Sequence, residues 1–574
     1  MGLRQFVIDA WSWLNYKPVM ADAGLPASRA FPELAASWLP PQEMRRLAAY
    51  KVLASYDNNQ AGQLAAAAGD DAALERRELG DAANLVDTAL GYLLGSDQQI
   101  AVAGAEHAEE ESPQPGTTEA AAVQERLRQW AGKELLTLRV QQAERAAVLL
   151  GDSVYVLAWS PDKQRPTLRV YDPGFYFPQW DDDQDQDFPT RVHLAWELPE
   201  DPDAGLKARV RRVTYELGPI SEDGVATRAY PWEPGRVSGV TCYLTDAEWL
   251  LEDIKRGETL DRLPMNKAAF RVRTDGTELN RLDLMIDFLP VIHVTNTIPE
   301  GGEHWGRSAL ARVLQGLDEL AATDSDSSAA SATTGTPIIG LAGARLPVNR
   351  ATGQPEKLKV EAGAVWHLGD SGRMDALDTS PQLAELRARV EHLLDRIAAN
   401  SRITAAGLGT LDAAQVPSGY AFQLALAPLD ALVGSMRLAR EHKYRLLLKF
   451  VQRLYQAGRA QDWPAGESFP ARLAWAPHVP TDRAAVLDEV VTAYGAGVLS
   501  LETAVQMLLD AGYPIDDASQ EVARVRANAN EVTAARVVEA AAGRADPEVA
   551  GGRSEDKTGS ANGEPGRVSN SVSS

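Results

Sequence analysis

The sequence predicts an α+β fold, with helix and strand segregated along the chain, on three observations. Residues 1–150 carry apolar residues at helical spacing. Residues 151–298 hold a series of short alternating strands. Three long helical patterns then follow, the first two separated by a compact β-rich stretch. Runs of strands followed by runs of helices point to α+β rather than to alternating α/β units. The two regimes meet at Val291–Thr334, VIHVTNTIPEGGEHWGRSALARVLQGLDELAATDSDSSAASATT. β-branched residues make its strand, and Pro299, Gly301 and Gly302 break it. Leu310, Val313, Leu314, Leu317 and Leu320 then recur at helical spacing, before the pattern turns to Asp, Ser, Ala and Thr. A helix to Thr334 would be a rod roughly 40 Å long at about 1.5 Å per residue. Such a rod suits a repeated ring wall better than a compact enzyme core.

In order, Met44–Ser55 and Ala82–Leu94 read as helices, as does Ala120–Leu150 with Trp130, Leu135, Leu138 and Val148. Between them His107–Glu119 collects acidic residues, Pro and Gly, which marks a loop or a short disordered insert. Ser153–Trp159, Thr167–Tyr171, Arg191–Leu198, Ala208–Leu217 and Val237–Leu244 read as strands of an antiparallel region. A helix near Asp246–Arg256 is expected to interrupt it, and strands at Leu282–Asp287 and Val291 to complete it. Thr336–Leu377 holds PIIGLAG, LKV and AVWHL between turn signals, an insertion between two helices. The second helix opens with Ser380 as N-cap and Pro381 at the first helical position. Leu383, Leu386, Val390, Leu393 and Ile397 follow 3-4-3-4 spacing, the seam of a helix lying along another. ITAAGLGTLDAAQVPSG (403–419) reads as a loop longer than the roughly 2–8 residues usual between helices. A third long helix, Tyr420 to about Ala457, is expected to kink at Pro428. A Pro-rich connection leads to helices at Asp482–Tyr494 and Leu501–Ala511, the second capped by Ser500, and a last one over Asp517–Ala542. The composition of Gly543–Ser574 predicts disorder.

At 574 residues the chain is long enough for roughly two to four domains. Its net charge of −23 is opposite to the basic footprint of a tight nucleic-acid binder. That charge fits simple solubility, and equally a wall past which DNA moves without sticking. One cysteine, Cys242, leaves no disulfide framework and no multi-cysteine zinc site within a chain. No apolar run approaches the roughly 20 residues of a membrane span. MGLRQFVIDAWSWLNY lacks the pattern of a signal peptide, and Phe6 occupies the Ser/Thr position of a myristoylation signal. The chain is therefore expected to be made and first used in the cytoplasm.

No nucleotide-binding loop, nucleophile elbow or H-E-x-x-H helix is present, and no cofactor is expected. His304 in GGEHWG, flanked by Glu303 and Trp305, is either half of a catalytic pair or part of a turn packed by Trp305. WDDDQDQD (Trp180–Asp187) is either a divalent-cation site, on which a cation-dependent hydrolase could be built, or a solvated hairpin tip. It lacks the glycine and closing glutamate of an EF-hand loop. Arg445, Lys449 and Arg453 share one helix face, with Arg437, Arg440 and Lys443 nearby. Phosphate contact and salt bridges within or between subunits are the two readings of that face.

AAVLLGDSVYVLAW (Ala146–Trp159), RVYDPGFYFPQWDDD, VIHVTNTIPEGGEHWGRSALARVLQGLDELAAT, PSGYAFQLALAPL and GVLSLETAVQMLLDAG resemble, in sequence and order, segments of the portal proteins of tailed double-stranded DNA bacteriophages. The resemblance spans about residues 40–530, and the combination carries it rather than any one motif. It implies a portal fold: a wing at 1–298 (helical to 150, β-rich from 151), a two-helix stem at 299–335 and 379–402, and an inserted β-rich clip at 336–378. It further implies a tunnel loop at 403–419, the long kinked helix and its connection at 420–480, a helical crown at 481–542, and a disordered tail at 543–574. It implies a non-enzymatic head-to-tail connector ring, usually a dodecamer, at one capsid vertex of the virion. DNA would pass through its channel during packaging and ejection. The implied partners are further copies of the chain, the terminase large subunit, major capsid and scaffold proteins, a head–tail adaptor at the clip, and DNA bound without sequence specificity. DNA-facing residues of the tunnel loop would be Ala405, Gly407, Leu408, Gly409, Thr410 and Gln415. The clip and first stem helix carry few basic residues, a departure bearing on which residues meet DNA. A hydrolase built on Asp181–Asp187, or another virion structural protein, are the alternatives.

Overall fold

The computed structural model describes residues 38–67, 76–95, 98–105, 116–180, 188–203, 205–220, 226–255, 257–273, 275–301, 303–335, 339–342, 373–376, 380–410, 419–460, 463, 468–475, 483–513, 515, 518 and 520–528. Among them the chain is α+β. Helices α1 (Met44–Asp57), α2 (Ala61–Ala67) and α3 (Asp81–Leu94) lead to strand β1 (Gln98–Val102). The single helix expected to Leu150 is two, α4 (Thr117–Lys133) and α5 (Leu136–Leu150). Leu135 adopts a positive φ of 53° at the break, and Glu134 turns inward to meet Arg165 at 2.8 Å. Breaking the helix there gives this buried carboxylate its cation, and it leaves Leu135 and Leu138 about 60% exposed rather than beside Trp130.

The strands follow as β2 (Asp152–Ser160), β3 (Arg165–Tyr171), β4 (Tyr176–Gln179), β5 (Arg191–Leu198) and β6 (Arg209–Pro219). Then come β7 (Arg228–Ala229), β8 (Val237–Ser238), β9 (Val240–Leu250), β10 (Ala269–Phe270), β11 (Leu282–Asp283) and β12 (Val291–Thr295). One sheet runs β12-β2-β3 and another β10-β9-β6-β5-β4, with β11 also on β9. Pairing is antiparallel throughout both. The helix expected at Asp246–Arg256 is instead strand to Leu250, followed by a 3-10 turn at Leu251–Asp253. Asp246 pairs with Arg211 at 2.8 Å across to β6, and Ala247 and Trp249 are buried, so cross-strand packing outweighs helix propensity. The strand expected over Leu282–Asp287 stops at Asp283, where Met285 takes a positive φ of 59°.

A 3-10 turn, Ala309–Arg312, capped by Ser308, precedes α6 (Leu314–Gly335), so the α-helix starts about one turn after Leu310, where the helical spacing begins. Strands β13 (Ile339–Ala342) and β14 (Arg373–Ala376) pair antiparallel. The rest of the 336–378 insert lies outside the described residues, as do Asp181–Asp187, 411–418 and the tail. Next come α7 (Ser380–Ser401) and α8 (Gly419–Ala457), which is 39 residues long with Pro428 inside it. Strand β15 (Ala471–Trp475) falls in the stretch read from sequence as a Pro-rich connection, and it pairs with β1. Helices α9 (Arg483–Gly495) and α10 (Leu501–Asp510) follow as expected, with Ser500 Oγ accepting from the Thr503 amide at 3.2 Å. The backbone is helical again at 520–528.

Helix α8 is the spine. Leu429, Val433, Met436, Leu447, Leu448 and Val451 are buried along it. It packs on α3, on the β12-β2-β3 sheet and on β15.

Candidate functional site

Two of the sequence stretches singled out above meet in space. The turn after α5 places Gly151 and Asp152 against Gly306 of the GGEHWG stretch. Gly151 has φ +105°, and a Cβ there would sit 2.6 Å from the Gly306 carbonyl oxygen; a Cβ on Gly306 would sit 2.2 Å from that of Gly151. Only glycine allows this approach, since no flexible side chain could yield. The Asn296 amide donates to the Gly151 carbonyl at 2.7 Å. Asp152, 1% exposed, accepts from Tyr50 Oη at 2.7 Å, His293 Nε2 at 2.8 Å and the Gly306 amide at 2.9 Å. Burial, then Asp152, pushes the Tyr50 phenol well above its usual range. The Arg46 guanidinium lies 4.1 Å over the Trp305 ring, which Tyr176 and His293 also contact. His304 stacks on Trp180 at 3.9 Å. The arrangement ties the turn after α5 to the segment leading into α6 and is the packed-turn alternative for His304 and Trp305.

From this junction α6 and α7 leave as two antiparallel helices of 22 residues each. Leu393 and Ile397 are buried, and Leu383, Leu386 and Val390 are half-buried, so the seam lies where the 3-4 spacing put it. Gly316 lets the helices close, because a Cβ there would stand 3.1 Å from Ile397 Cγ1. The residues between seam positions on α7 are exposed.

The first half of the 403–419 stretch folds onto α8. Ile403, Ala406 and Gly407 are buried. Thr404 Oγ1 donates to the Ala425 carbonyl at 3.0 Å, and Tyr92 Oη to that of Gly407 at 3.2 Å. A Cβ on Gly407 would meet Leu429 Cδ2 at 2.9 Å. Ala405 and Leu408 are half-buried, whereas Gly409 and Thr410 are exposed. Gln415 lies outside the described residues.

The cationic face of α8 is not one site. Arg445 pairs with Glu441 one turn back. Arg453 reaches Asp287 at 3.7 Å and stacks near Trp232 and Phe288. Desolvation lowers the pKa of Lys449, with Arg453 adding repulsion. Arg437 donates to the Leu93 carbonyl at 3.0 Å and lies over Trp475, and Lys443 lies over Phe188. Intramolecular pairing accounts for Arg445 and Arg453.

Arg440, wholly buried, is the centre of a network that the periodicity argument passed over. Its Nε donates to Glu144 Oε2 at 2.6 Å, Nη1 to the Asn296 and Met436 carbonyls, and Nη2 to Asn296 Oδ1. Tyr444 Oη donates to the other Glu144 oxygen and lies 2.8 Å from Tyr155 Oη. The available signal was Glu144 itself, a carboxylate one turn from Val140 and next to Ala143 on the apolar stripe of α5. Among the described residues no group of three or more His, Cys, Asp or Glu is placed to hold a metal ion, and no helix is long and apolar enough to cross a membrane. No protein-family model matches the chain, and no curated protein sequence matches it.

Proposed function

We propose that the chain is the subunit of a portal ring: a non-enzymatic channel at one capsid vertex of a tailed bacteriophage. DNA would be packaged and ejected through it, and terminase and head–tail connector proteins would dock on it. The observation that carries this reading is the α6–α7 pair. It has an internal seam, a strand pair, β13–β14, joining its far ends, and, after α7, the 403–410 stretch folded onto α8. A helix as long as α7, covered on one stripe only, is an element built to be packed by neighbours. The subunit then divides into wing, stem, clip and crown as the resemblance implies. Its partners are other copies of the chain, twelvefold symmetry being the family's usual closure, with terminase, scaffold and capsid proteins around the ring. The acidic balance suits a conduit that does not retain DNA.

Negative-stain imaging and native mass measurement of the purified chain test this. A closed ring with a central channel is expected. A monomer at all concentrations, including with scaffold and capsid protein present, overturns it.

A further inference from the structure

A cleft of about 900 Å³ opens between the β1–β15 ladder and the second half of α8. Its floor is one face of that ladder. Gln99 pairs with Ala474 and Ala101 with Arg472 in the antiparallel register, and these four residues line the cleft. The opposite face carries Ile100 and Leu473 and is buried. The walls bring His442, Arg445 and Lys449 from α8, Arg128 from α4, and Leu509 from α10. Among the described lining residues there are four Lys or Arg side chains, Arg128, Arg445, Lys449 and Arg472, and no Asp or Glu. This concentration of cations stands out in a chain of net charge −23.

The cations differ in how far the protein already satisfies them. Arg445 has Glu441, and Arg128 Nε donates to the Ile100 carbonyl at 3.2 Å. Lys449 is partly desolvated, and that cost together with Arg453 outweighs the attraction of Glu233 and Asp287. A carboxylate entering the cleft would offset that cost. The volume lies within the roughly 300–1,000 Å³ range of ligand sites and holds a short segment of chain rather than a folded domain. Small apolar side chains on the floor, with Leu446, Phe469 and Leu509 around it, give room for apolar groups between the charges.

We propose that this cleft is a docking site for a short acidic peptide segment of a partner protein, its carboxylates on Lys449 and Arg472 and an apolar side chain over Ala101 and Ala474. Charge complementarity names the sign of the occupant. The apolar floor and the overall negative field favour a peptide over a phosphate backbone. This inference is independent of ring assembly.

The test uses the full chain and a fluorescein-labelled peptide of glutamates around a central leucine, read by fluorescence polarisation. Saturable binding is expected, weakened at least about 10-fold in the Lys449→Glu/Arg472→Glu variant and by raised salt. A control peptide with glutamine for glutamate should not bind. A second readout does not depend on that variant folding. Cys242 is buried, and burial pushes its thiol up, so Ala101→Cys supplies the one reactive thiol among the described residues. The acidic peptide should slow its alkylation. Absence of binding, equal binding of the neutral peptide, stronger binding of a single-stranded oligonucleotide, unchanged affinity in a folded double variant, or unprotected Ala101→Cys would each overturn the proposal.

Discussion

At the scale of single residues, the costliest substitutions are expected at a few buried polar groups. Arg440 and Glu144 are both fully buried and bonded to each other, and their remaining polar atoms bond Asn296, Met436 and Tyr444. Removing one partner strands the other charge in a low-dielectric core. Arg440→Met should therefore cost about 3–5 kcal/mol, and adding Glu144→Gln should recover part of it. Urea denaturation of the two variants checks this; equal loss in both would mean the pair is not coupled. His193 sets a pH dependence. It is 3% exposed, with Nδ1 2.8 Å from Thr214 Oγ1. Asp261 Oδ1, 3.8 Å from Nε2, is beyond hydrogen-bond reach. Burial first, then Arg212 and Arg191, holds the imidazole pKa well below its usual value. A depressed folded-state pKa means the unfolded chain takes up the proton first. Its stabilising contribution is present above about pH 6.5 and is lost as pH falls, at up to about 1.4 kcal/mol per unit. Denaturation midpoints measured from pH 7.5 to 5.5 should fall more steeply for the native chain than for His193→Gln. Parallel curves would remove His193 from the acid response.

At the scale of elements, the α6–α7 seam makes a sharp prediction. Leu393 is 7% exposed, while its neighbour Leu394 is 44% exposed. Leu393→Asp buries a carboxylate with no built partner and should cost about 3 kcal/mol or more in the isolated chain. Leu394→Asp should stay within about 0.5 kcal/mol there. Equal melting curves would mean the seam is not packed. This seam was legible in the sequence because a single apolar stripe on a long helix leaves one face to bury. The β-rich middle was legible for the same reason, at period two. What escaped the sequence reading was non-local. β15 has a partner, β1, from the other end of the chain, and no local pattern encodes it. β9 reads as helix from Asp246 onward until Arg211 of β6 is brought across from it. Among candidate site residues, the glycine-rich GGEHWG turn was visible as a turn. Its close fit to Gly151 depends on two backbones meeting, and composition does not report that. Arg440 read as one cation among several on α8, because burial by α5 and the segment after β12 appears only in three dimensions.

At the scale of the whole molecule, the proposed ring asks the polar half of α6 to face a neighbour. Within the chain this half is held lightly. The Arg77 amide donates to Ser325 Oγ at 2.8 Å, and its Nη1 to Ser328 Oγ at 2.7 Å. Ser327 is half-buried and Ser331 exposed. In a head-to-tail ring the surfaces that meet are different patches of the same chain, so residue i of one copy meets residue j of the next. Ser327 and Ser331 lie one turn apart on one side of α6, so both report on a single patch. A cysteine at either position should be alkylated readily in the free chain and slowly in the ring. Because Cys242 is buried, it should contribute no background. The protection should vanish when Leu393→Asp is added, because splaying α7 from α6 displaces that patch. Rings in which both introduced cysteines stay fully reactive would take the polar half of α6 out of the proposed interface and leave the ring itself to be held elsewhere.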